Sequence, residues 1–408
     1  MSLSSTPSQT PATLTPKRQT IALLALALGG FTIGTTEFAT MGILTNISQD
    51  LSVSIPTAGH AITAYALGVV IGAPIIAIMT ARMSRTALVA WLMGAYSVAN
   101  LLSATADNMN LLILGRFIAG LPHGVFFGVG AVVGTAVVGA AKRGHAMSVM
   151  LGGLTVANVV GVPISSWIGQ TLGWRAAFVL VGILGFVAMA ALALLLPKVP
   201  PQQGANARSE LAALKNGRLW AMFIAAGIGF GGMFTIYSYV KPIAMFEAGI
   251  DESKIPLVLA LFGIGMTVGV FFAGRMMDID VKKTVYLGFV STMISMIFLG
   301  FTTHSWPLLL IGIFATGWTS QYLAMGLQGI LMDLSPKAPS LGAALCHSAL
   351  NTANASGAFF GGLFIAWNLG YPSLPWLGLG LTVIGFVITA ALLPRRPRLD
   401  VDAIMNAS

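Results

Sequence analysis

The chain has 408 residues, of which 56% are hydrophobic and only 8% are charged. A water-soluble domain carries about 25% charged residues, so this chain cannot cover an ordinary globular surface with solvated side chains. The net charge of +9 does not indicate a nucleic-acid partner, because most lysines and arginines lie in short segments between apolar runs. The single cysteine, Cys346, excludes a disulfide framework and a cysteine-based metal site, and no metal is expected.

Apolar runs along the chain predict an all-α integral membrane protein. A spanning helix needs about 20 mainly apolar residues, and twelve segments meet that requirement. The first run is longer than the apolar core of a signal peptide and is expected to be retained as a helix. In chain order the predicted spans are 19–46, 57–80, 86–104, 109–138, 144–170, 175–196, 219–246, 255–274, 284–303, 307–332, 340–366 and 373–394.

The basic residues predict the orientation of these spans. With the N-terminus in the cytoplasm, seventeen of the 21 lysines and arginines fall in cytoplasmic segments. Only Arg175 and Lys254 fall in outer segments, while Arg116 and Lys241 lie within spans. Cytoplasmic loops of membrane proteins carry such an excess of positive charge, so both termini are predicted to be cytoplasmic.

The polar stretch near the middle of the chain divides the spans into two groups of six. Its prolines, glycine and mixed charges are typical of a linker between two bundles. The predicted organisation is a disordered tail at 1–18, a six-helix bundle at 19–197, a linker at 198–218, a second bundle at 219–394 and a tail at 395–408.

The two groups of spans resemble each other at a nearly constant offset of 196 or 197 residues. Several matches in order indicate an internal duplication, and parallel repeats of six helices are typical of secondary transporters that bind the solute between the halves. The matched residues are Gly115 and Gly120 with Gly312 and Gly317, Asn158 and Gly161 with Asn354 and Gly357, and the close-packing pair Gly68 and Gly72 with Gly265 and Gly269.

Two charged residues lie deep within predicted spans, where a charge costs about 2.5–3.5 kcal/mol. Glu37 is ten residues from Ile47 at the outer end of the first span, and Arg116 is nine residues from Asp107 at the outer end of the fourth. At 1.5 Å per residue these depths are roughly 15 and 14 Å, so the two side chains can meet. Either Glu37 binds a proton or the solute while Arg116 tunes its proton affinity, or the two form a static buried pair.

Three further ionisable residues lie within the spans. His123, after Pro122 in the fourth span, either relays protons or is a hydrogen-bonded packing residue. His347, near the cytoplasmic end of the eleventh span, is expected to be a packing residue. Lys241, near the outer end of the seventh span, either extends to the membrane interface or lines the outer part of the cavity.

Uncharged side chains within the spans are candidates for the walls of a solute cavity. Amides there either bind solute hydroxyls or form hydrogen bonds between helices, and aromatic rings either line the cavity or pack elsewhere. The amides are Asn158, Gln321, Gln328, Asn351 and Asn354, and the aromatic residues are Tyr65, Phe234, Tyr237 and Trp318.

The sequence contains no phosphate-binding loop for ATP. No nucleophile, metal cluster or carboxylate pair stands out within the spans, so an enzyme is not expected and no cofactor is predicted. Transport is then passive, coupled to an ion gradient or powered by a partner.

Five strings resemble the major facilitator superfamily, in particular its drug:proton antiporter branch and bacterial arabinose-efflux-permease-like proteins. They are TTEFATMGIL, YALGVVIGAPI, GRFIAGLPHGVFFGVGAV, TVANVVGVPISSWIGQTLGWR and SYVKP, and the resemblance covers essentially the whole apolar chain. It implies two pseudo-symmetric six-helix bundles, a bacterial cytoplasmic membrane, and export of sugar-like or drug-like solutes in exchange for protons by alternating access. A small solute and the lipid bilayer are the implied partners, with a monomer sufficing. An importer of the same fold, a sensor and a channel stay open as alternatives.

The resemblance also implies roles for residues in two spans. Arg116 matches the arginine of the family's fourth helix and is grouped with Glu37 and His123 for proton coupling. Gly161 and Pro163 match the signature of the fifth helix, where such residues bend the helix and seal the interface between the bundles.

The loop between the second and third spans departs from the family pattern. The family places an acidic residue before the loop arginine, whereas Ala81 precedes Arg82 here, with Arg85 following. The charge latch to the neighbouring helix is therefore expected to be incomplete. Its counterpart in the second half retains both signs in Arg275 and Asp278.

Overall fold

The computed structural model describes residues 14–53, 55–201, 214–251, 254–336 and 338–393. Regular secondary structure in these ranges is entirely helical. Most of both predicted tails and the centre of the predicted linker lie outside the described residues.

Twelve helical segments, α1 to α12, follow the predicted spans in order. A short helix, Leu44–Asp50, follows α1. The segments are α1 (Pro16–Gly42), α2 (Ile55–Met79), α3 (Arg85–Ala104), α4 (Met109–Val138), α5 (Arg143–Val156, a π turn at Ala157–Gly161, then Val162–Thr171), α6 (Trp174–Leu195), α7 (Gly217–Gly229, Gly231–Tyr237 and Val240–Pro242, then a π turn at Ile243–Glu247), α8 (Ile255–Ile279), α9 (Val281–Thr302), α10 (Trp306–Asp333), α11 (Pro339–Ala366) and α12 (Leu374–Leu392).

Eleven helices within the described residues are long and apolar enough to cross a membrane. The segment α11 is not among them, although its 28 residues give it ample length. The side chains of His347, Asn351 and Asn354 lower the apolarity of its central part. The twelfth span therefore exists as a helix, but with more polar side chains than its neighbours.

Several helix ends differ by a few residues from the predicted bounds. The segment α8 continues to Ile279 instead of ending at residue 274, because Arg275 and Asp278 end the apolar run without ending the helix. The first span breaks at Ile43 instead of running to residue 46, and α1 begins at Pro16, so the last three residues of the predicted N-terminal tail are helical.

Glycine contacts confirm the predicted duplication. A Cβ added at Gly120 on α4 would meet the carbonyl oxygen of Tyr65 on α2. A Cβ added at Gly317 on α10 would meet the carbonyl oxygen of Phe262 on α8, and both partners lie 197 residues after their counterparts. Only glycine permits such close backbone approach, so α2 with α4 and α8 with α10 are two copies of one packing unit.

The two halves meet through α11, which packs against α2 and α4, and through α8, which packs against α5. We call the face of the bundle at which α1 begins the terminal face, and the opposite one the far face. At the terminal face Arg143 forms a bidentate ion pair with Asp333 at 2.8 and 3.2 Å. The Asp278 carboxylate accepts hydrogen bonds from the backbone N–H groups of Gly144 and His145 at 2.5 and 3.2 Å. These contacts hold the halves together at this face.

Candidate solute-binding cavity

A narrow cavity lies between the two halves and is lined by residues of both. Helices α1 and α5 of the first half and α7, α8, α10 and α11 of the second half form its walls. The predicted residues that line it are Glu37, Phe234, Tyr237, Gln321, Gln328 and Asn351.

The polar wall of the cavity comes from α10 and α11. Gln321 and Gln328 are seven residues apart, and His347 and Asn351 are four apart, so each pair lies on one helix face. The Nε2 atoms of Gln328 and His347 are buried and have no hydrogen-bond partner among the described residues. Buried polar atoms normally have a partner, so these two are suited to contact a bound molecule.

The facing wall of the cavity is aromatic. The ring of Tyr237 stacks on Phe262 with centroids 4.5 Å apart and meets the edge of Phe38 at 5.7 Å. Phe230 and Phe234 form a second edge-to-face pair at 5.8 Å. Such a wall provides apolar contact area with defined orientation. A solute with one polar and one apolar side would match both walls.

Glu37 brings a carboxylate to this cavity from α1. Its side chain is half-buried, lines the cavity and lies close to the amide of Asn351 on α11 and within the electrostatic field of Arg116. No ion pair within 4 Å joins Glu37 to Arg116 among the contacts of these two described residues. The alternative of a static buried pair therefore does not describe this structure.

Arg116 is instead held within the first half, away from the cavity lining. Its Nη1 donates to Asn100 Oδ1 at 3.2 Å, and its guanidinium lies over the rings of Tyr65 and Phe178 at 4.4 and 5.1 Å. Thr36 also donates to Asn100 Oδ1, at 3.3 Å. The sequence analysis did not identify Asn100, although an amide within a span indicates a polar contact inside the bundle.

Of the predicted wall residues whose side chains the structure describes, four are not among those that line the cavity, namely Tyr65, Asn158, Trp318 and Asn354. Tyr65 is buried between Arg116 and His123. Trp318 follows the second of its two predicted alternatives, because its side chain is 38% exposed and its ring packs beside Phe272. Asn354 is buried elsewhere on α11, and the side chain of Lys241 lies outside the described residues.

A further predicted wall residue, Asn158, lies in the π turn of α5. Its Nδ2 donates to the Leu154 carbonyl oxygen at 3.2 Å, and its Oδ1 accepts from the Tyr237 hydroxyl at 3.5 Å. Asn158 and Val159 also pack closely on Gly263 of α8. Asn158 of the first half therefore contacts and supports Tyr237, an aromatic wall residue of the second half.

Gly161 and Pro163 lie where α5 is interrupted. Gly161 ends the π turn and packs against Thr35 and Phe31 on α1, within its own half. Pro163 lies near the start of the second part of α5. The contact with α8 at this level is made by Asn158 and Val159, which pack on Gly263.

The loop after α2 and its counterpart after α8 differ in their contacts, as they differ in sequence. Arg82 is exposed and forms no ion pair within the described part of the chain. Arg85 is buried, and its backbone N–H donates to the Val199 carbonyl oxygen at 2.9 Å. In the second half Arg275 is exposed, whereas Asp278 bridges to the start of α5.

His123 and His347 are both buried and close together. Their ring centroids are 5.5 Å apart, and the Tyr65 hydroxyl lies 2.9 Å from His123 Nδ1. The expectation that His347 is only a packing residue was wrong, because its side chain lines the cavity. Its spacing from Asn351 on one face of α11 was the signal in the sequence.

Repeated six-helix halves around a central cavity with polar and aromatic walls define a membrane transporter. The chain belongs to the major facilitator superfamily, whose sequence pattern matches residues 26–245 and 222–405. It is thus a multi-pass membrane protein that moves small solutes, and it is a transporter and not an enzyme.

Individual proteins resemble the chain over almost its full length. It is 34% identical over 385 residues to the inner membrane transport protein YdhP of Escherichia coli (strain K12), which covers 94% of this chain and 98% of that one. It is 30% identical over 382 residues to a chloramphenicol resistance protein of Streptomyces lividans, covering 92% and 96%. The solved structure of the proton:xylose symporter XylE shares the fold, with a TM-score of 0.76, 14% identity and coverage of 93% and 97%.

Proposed function

We propose that this transporter exports small sugar-like or amphipathic drug-like solutes across the bacterial cytoplasmic membrane in exchange for protons. The proton gradient supplies the energy, a monomer carries out the cycle by alternating access, and neither a cofactor nor a nucleic acid takes part. The observation that carries the proposal is Glu37, the only acidic side chain among the described residues that line the cavity.

Exchange requires that binding of the proton and binding of the solute oppose each other, and competition for one site is the simplest way to achieve this. The Glu37 carboxyl can gain or lose a proton without breaking an ion pair, since none joins it to Arg116. The neighbouring Asn351 amide can donate to the ionised carboxylate or accept from the protonated acid. A solute that occupies the cavity would compete with the proton for the same carboxyl group.

Orientation and direction rest on two further observations. The excess of basic residues in segments at the terminal face supports a cytoplasmic terminal face. The name of the Streptomyces lividans relative refers to resistance to chloramphenicol, and removal of a drug from the cell is one way to give resistance. The first observation supports the orientation of the chain, and the second supports export.

Replacing Glu37 by glutamine tests the proposal. A thermal-shift screen of sugars, nucleosides, chloramphenicol and dyes first identifies a bound solute. In proteoliposomes with an imposed pH gradient, accumulation of that labelled solute by Glu37→Gln should fall to the level of protein-free liposomes. Counterflow of labelled against unlabelled solute should persist, because the glutamine leaves the rest of the cavity in place.

Glu247→Gln is the matched control, since Glu247 lies in the π turn that ends α7 and is not among the cavity residues. It should accumulate solute like the wild type. Undiminished gradient-driven accumulation by Glu37→Gln would reject Glu37 as the coupling acid. Accumulation in the direction of proton flow would replace export by import.

A further inference from the structure

Two buried imidazoles meet across the interface between the halves, outside the role given to Glu37. His123 belongs to α4 of the first half and His347 to α11 of the second, and their side chains are 1% and 5% exposed. The ring centroids are 5.5 Å apart and the ring planes are inclined by 53°. The pair therefore exists only while α4 and α11 are in contact.

Neighbouring groups fix both rings but leave one nitrogen of each without a partner. The Tyr65 hydroxyl lies 2.9 Å from His123 Nδ1, and the ring of Phe127 stacks on His347 at 4.3 Å. The Nε2 atoms of both histidines are buried and without a hydrogen-bond partner within the described structure. Each ring therefore has one nitrogen available to bind a proton.

The pair lies between the cavity and the closed terminal face. His347 lines the cavity. Beyond it, Gly124 and Gly128 of α4 approach the backbone of Ala344 and Ser340 on α11 so closely that an added Cβ at Gly124 would lie 3.3 Å from the Ala344 carbonyl oxygen. A proton that reached the pair from the cavity would be released on the terminal side when these helices separate.

We propose that His123 and His347 form a second proton-binding site, assembled from both halves when the terminal face closes. The inference rests on the proposed proton coupling and adds a site to it. One proton binds to the Nε2 atom of one imidazole, and this imidazolium ring then turns to donate its N–H to the neutral imidazole of the other half. Because the shared proton holds α4 and α11 together, protonation favours the closed terminal face and opening releases the proton.

The charged and titratable groups around the pair fit one proton better than two. Tyr65 on α2 faces His123, and Arg116 lies over the ring of that tyrosine. Across the cavity, Glu37 on α1 and Tyr237 on α7 face His347, and α10 presents the uncharged Gln328. A positive charge on one imidazole would oppose a second one on the other ring, whose centroid is only 5.5 Å away.

Distance measurements across the terminal face test the site. Spin labels at Lys142 and Lys283, which are exposed on opposite halves, would be placed in a Cys346→Ala background, and the protein would be studied in nanodiscs without solute between pH 5 and 8. In this background, lowering the pH should raise the closed-to-open ratio. For one proton the slope is at most about tenfold per pH unit.

His347→Gln and His123→Gln should each abolish this pH response, whereas His60→Gln, at an exposed position near the far face, should retain it. Glu37→Gln should also retain it, which separates this site from the coupling acid. A wild-type response in His347→Gln would overturn the proposal, as would loss of the whole response in Glu37→Gln. If His347→Gln does not fold, His123→Gln tests the same site from the other half, and a wild-type response there would overturn the proposal equally.

Discussion

Asp50, at the far face, is held by two neighbours from the start of α6. Its carboxylate accepts hydrogen bonds from Arg175 Nη1 at 2.5 Å and from Trp174 Nε1 at 2.9 Å. The Arg175 hydrogen bond first, and the Trp174 hydrogen bond second, hold the pKa of Asp50 below its ordinary value of 3.8. Since the pKa is lower in the folded than in the unfolded state, the stabilisation is complete above about pH 4 and is lost as the pH falls through the folded-state pKa.

Asp50→Asn should therefore lower the thermal stability at pH 7 more than at acid pH. The two side chains are about half exposed, so the loss should be at most about 1 kcal/mol. Unfolding midpoints of the wild type and the variant, measured from pH 7 down to pH 3, should converge below about pH 4. Asp107→Asn, at an exposed position at the same face, is the control, and a gap that does not change with pH would contradict the assignment.

Single residues show where the sequence was informative about the site. The rarity of charge within spans correctly drew attention to Glu37, which lines the cavity. The rotation of each helix about its own axis could not be deduced, because helices surrounded by lipid and protein are apolar on every side. For this reason the sequence left open whether Trp318 lines the cavity, and it did not predict that His347 does.

At the scale of helix pairs, the repeated glycine contacts predict equal sensitivity in both halves. Gly120→Ala and Gly317→Ala would each press a methyl group against a backbone carbonyl oxygen of the neighbouring helix. Overpacking of this kind costs about 1–3 kcal/mol. Both variants should therefore unfold earlier than the wild type in a thermal or denaturant titration.

Gly380→Ala is the matched control for these variants. Nothing lies within 4 Å of a Cβ added at Gly380 on α12, and alanine is favoured over glycine within a helix by about 1 kcal/mol. This variant should be at least as stable as the wild type. Equal stability of all three variants would show that α2 with α4 and α8 with α10 are not packed as described.

Helix positions were predictable within a few residues, but interruptions within helices were not. The span at 109–138 matches α4 as observed. The π turns at Ala157–Gly161 and Ile243–Glu247 depend on hydrogen bonding one residue beyond the α-helical pattern, which leaves no mark in an apolar run. The extension of α8 past Arg275 was not predicted, because the end of the apolar run was taken as the end of the helix.

For the whole molecule, the cap that Asp278 places on the start of α5 should set the balance between closed and open terminal faces. The negative charge of a carboxylate at a helix N-terminus contributes at most about 1 kcal/mol at an exposed site. Asp278→Asn keeps one acceptor oxygen but loses the charge, so it should shift the closed-to-open ratio by up to about fivefold toward the open form. The same pair of spin labels across the terminal face would measure it.

Arg275→Gln is the control, because Arg275 lies three residues away on α8 and is exposed. Its distance distribution should match that of the wild type. An unchanged distribution in Asp278→Asn would mean that the Arg143–Asp333 ion pair and the packing of α4 on α11 determine closure without the cap.

The duplication and the two groups of six spans could be recognised from the sequence, since both leave a regular signature. The way one half closes on the other could not, because it depends on contacts between residues far apart in the chain. Asp278 meets Gly144 across 134 residues, and Arg143 meets Asp333 across 190. No local pattern in the sequence connects such partners.

The polar character of α11 has a consequence for how the protein is made. As the ribosome delivers this segment to the translocon, its imidazole and two asparagines weaken its partition into lipid. Its neighbours α10 and α12 are apolar enough to cross on their own account. We expect α11 to leave the translocon together with one of them, so the side chains it brings to the cavity make its biogenesis dependent on its neighbours.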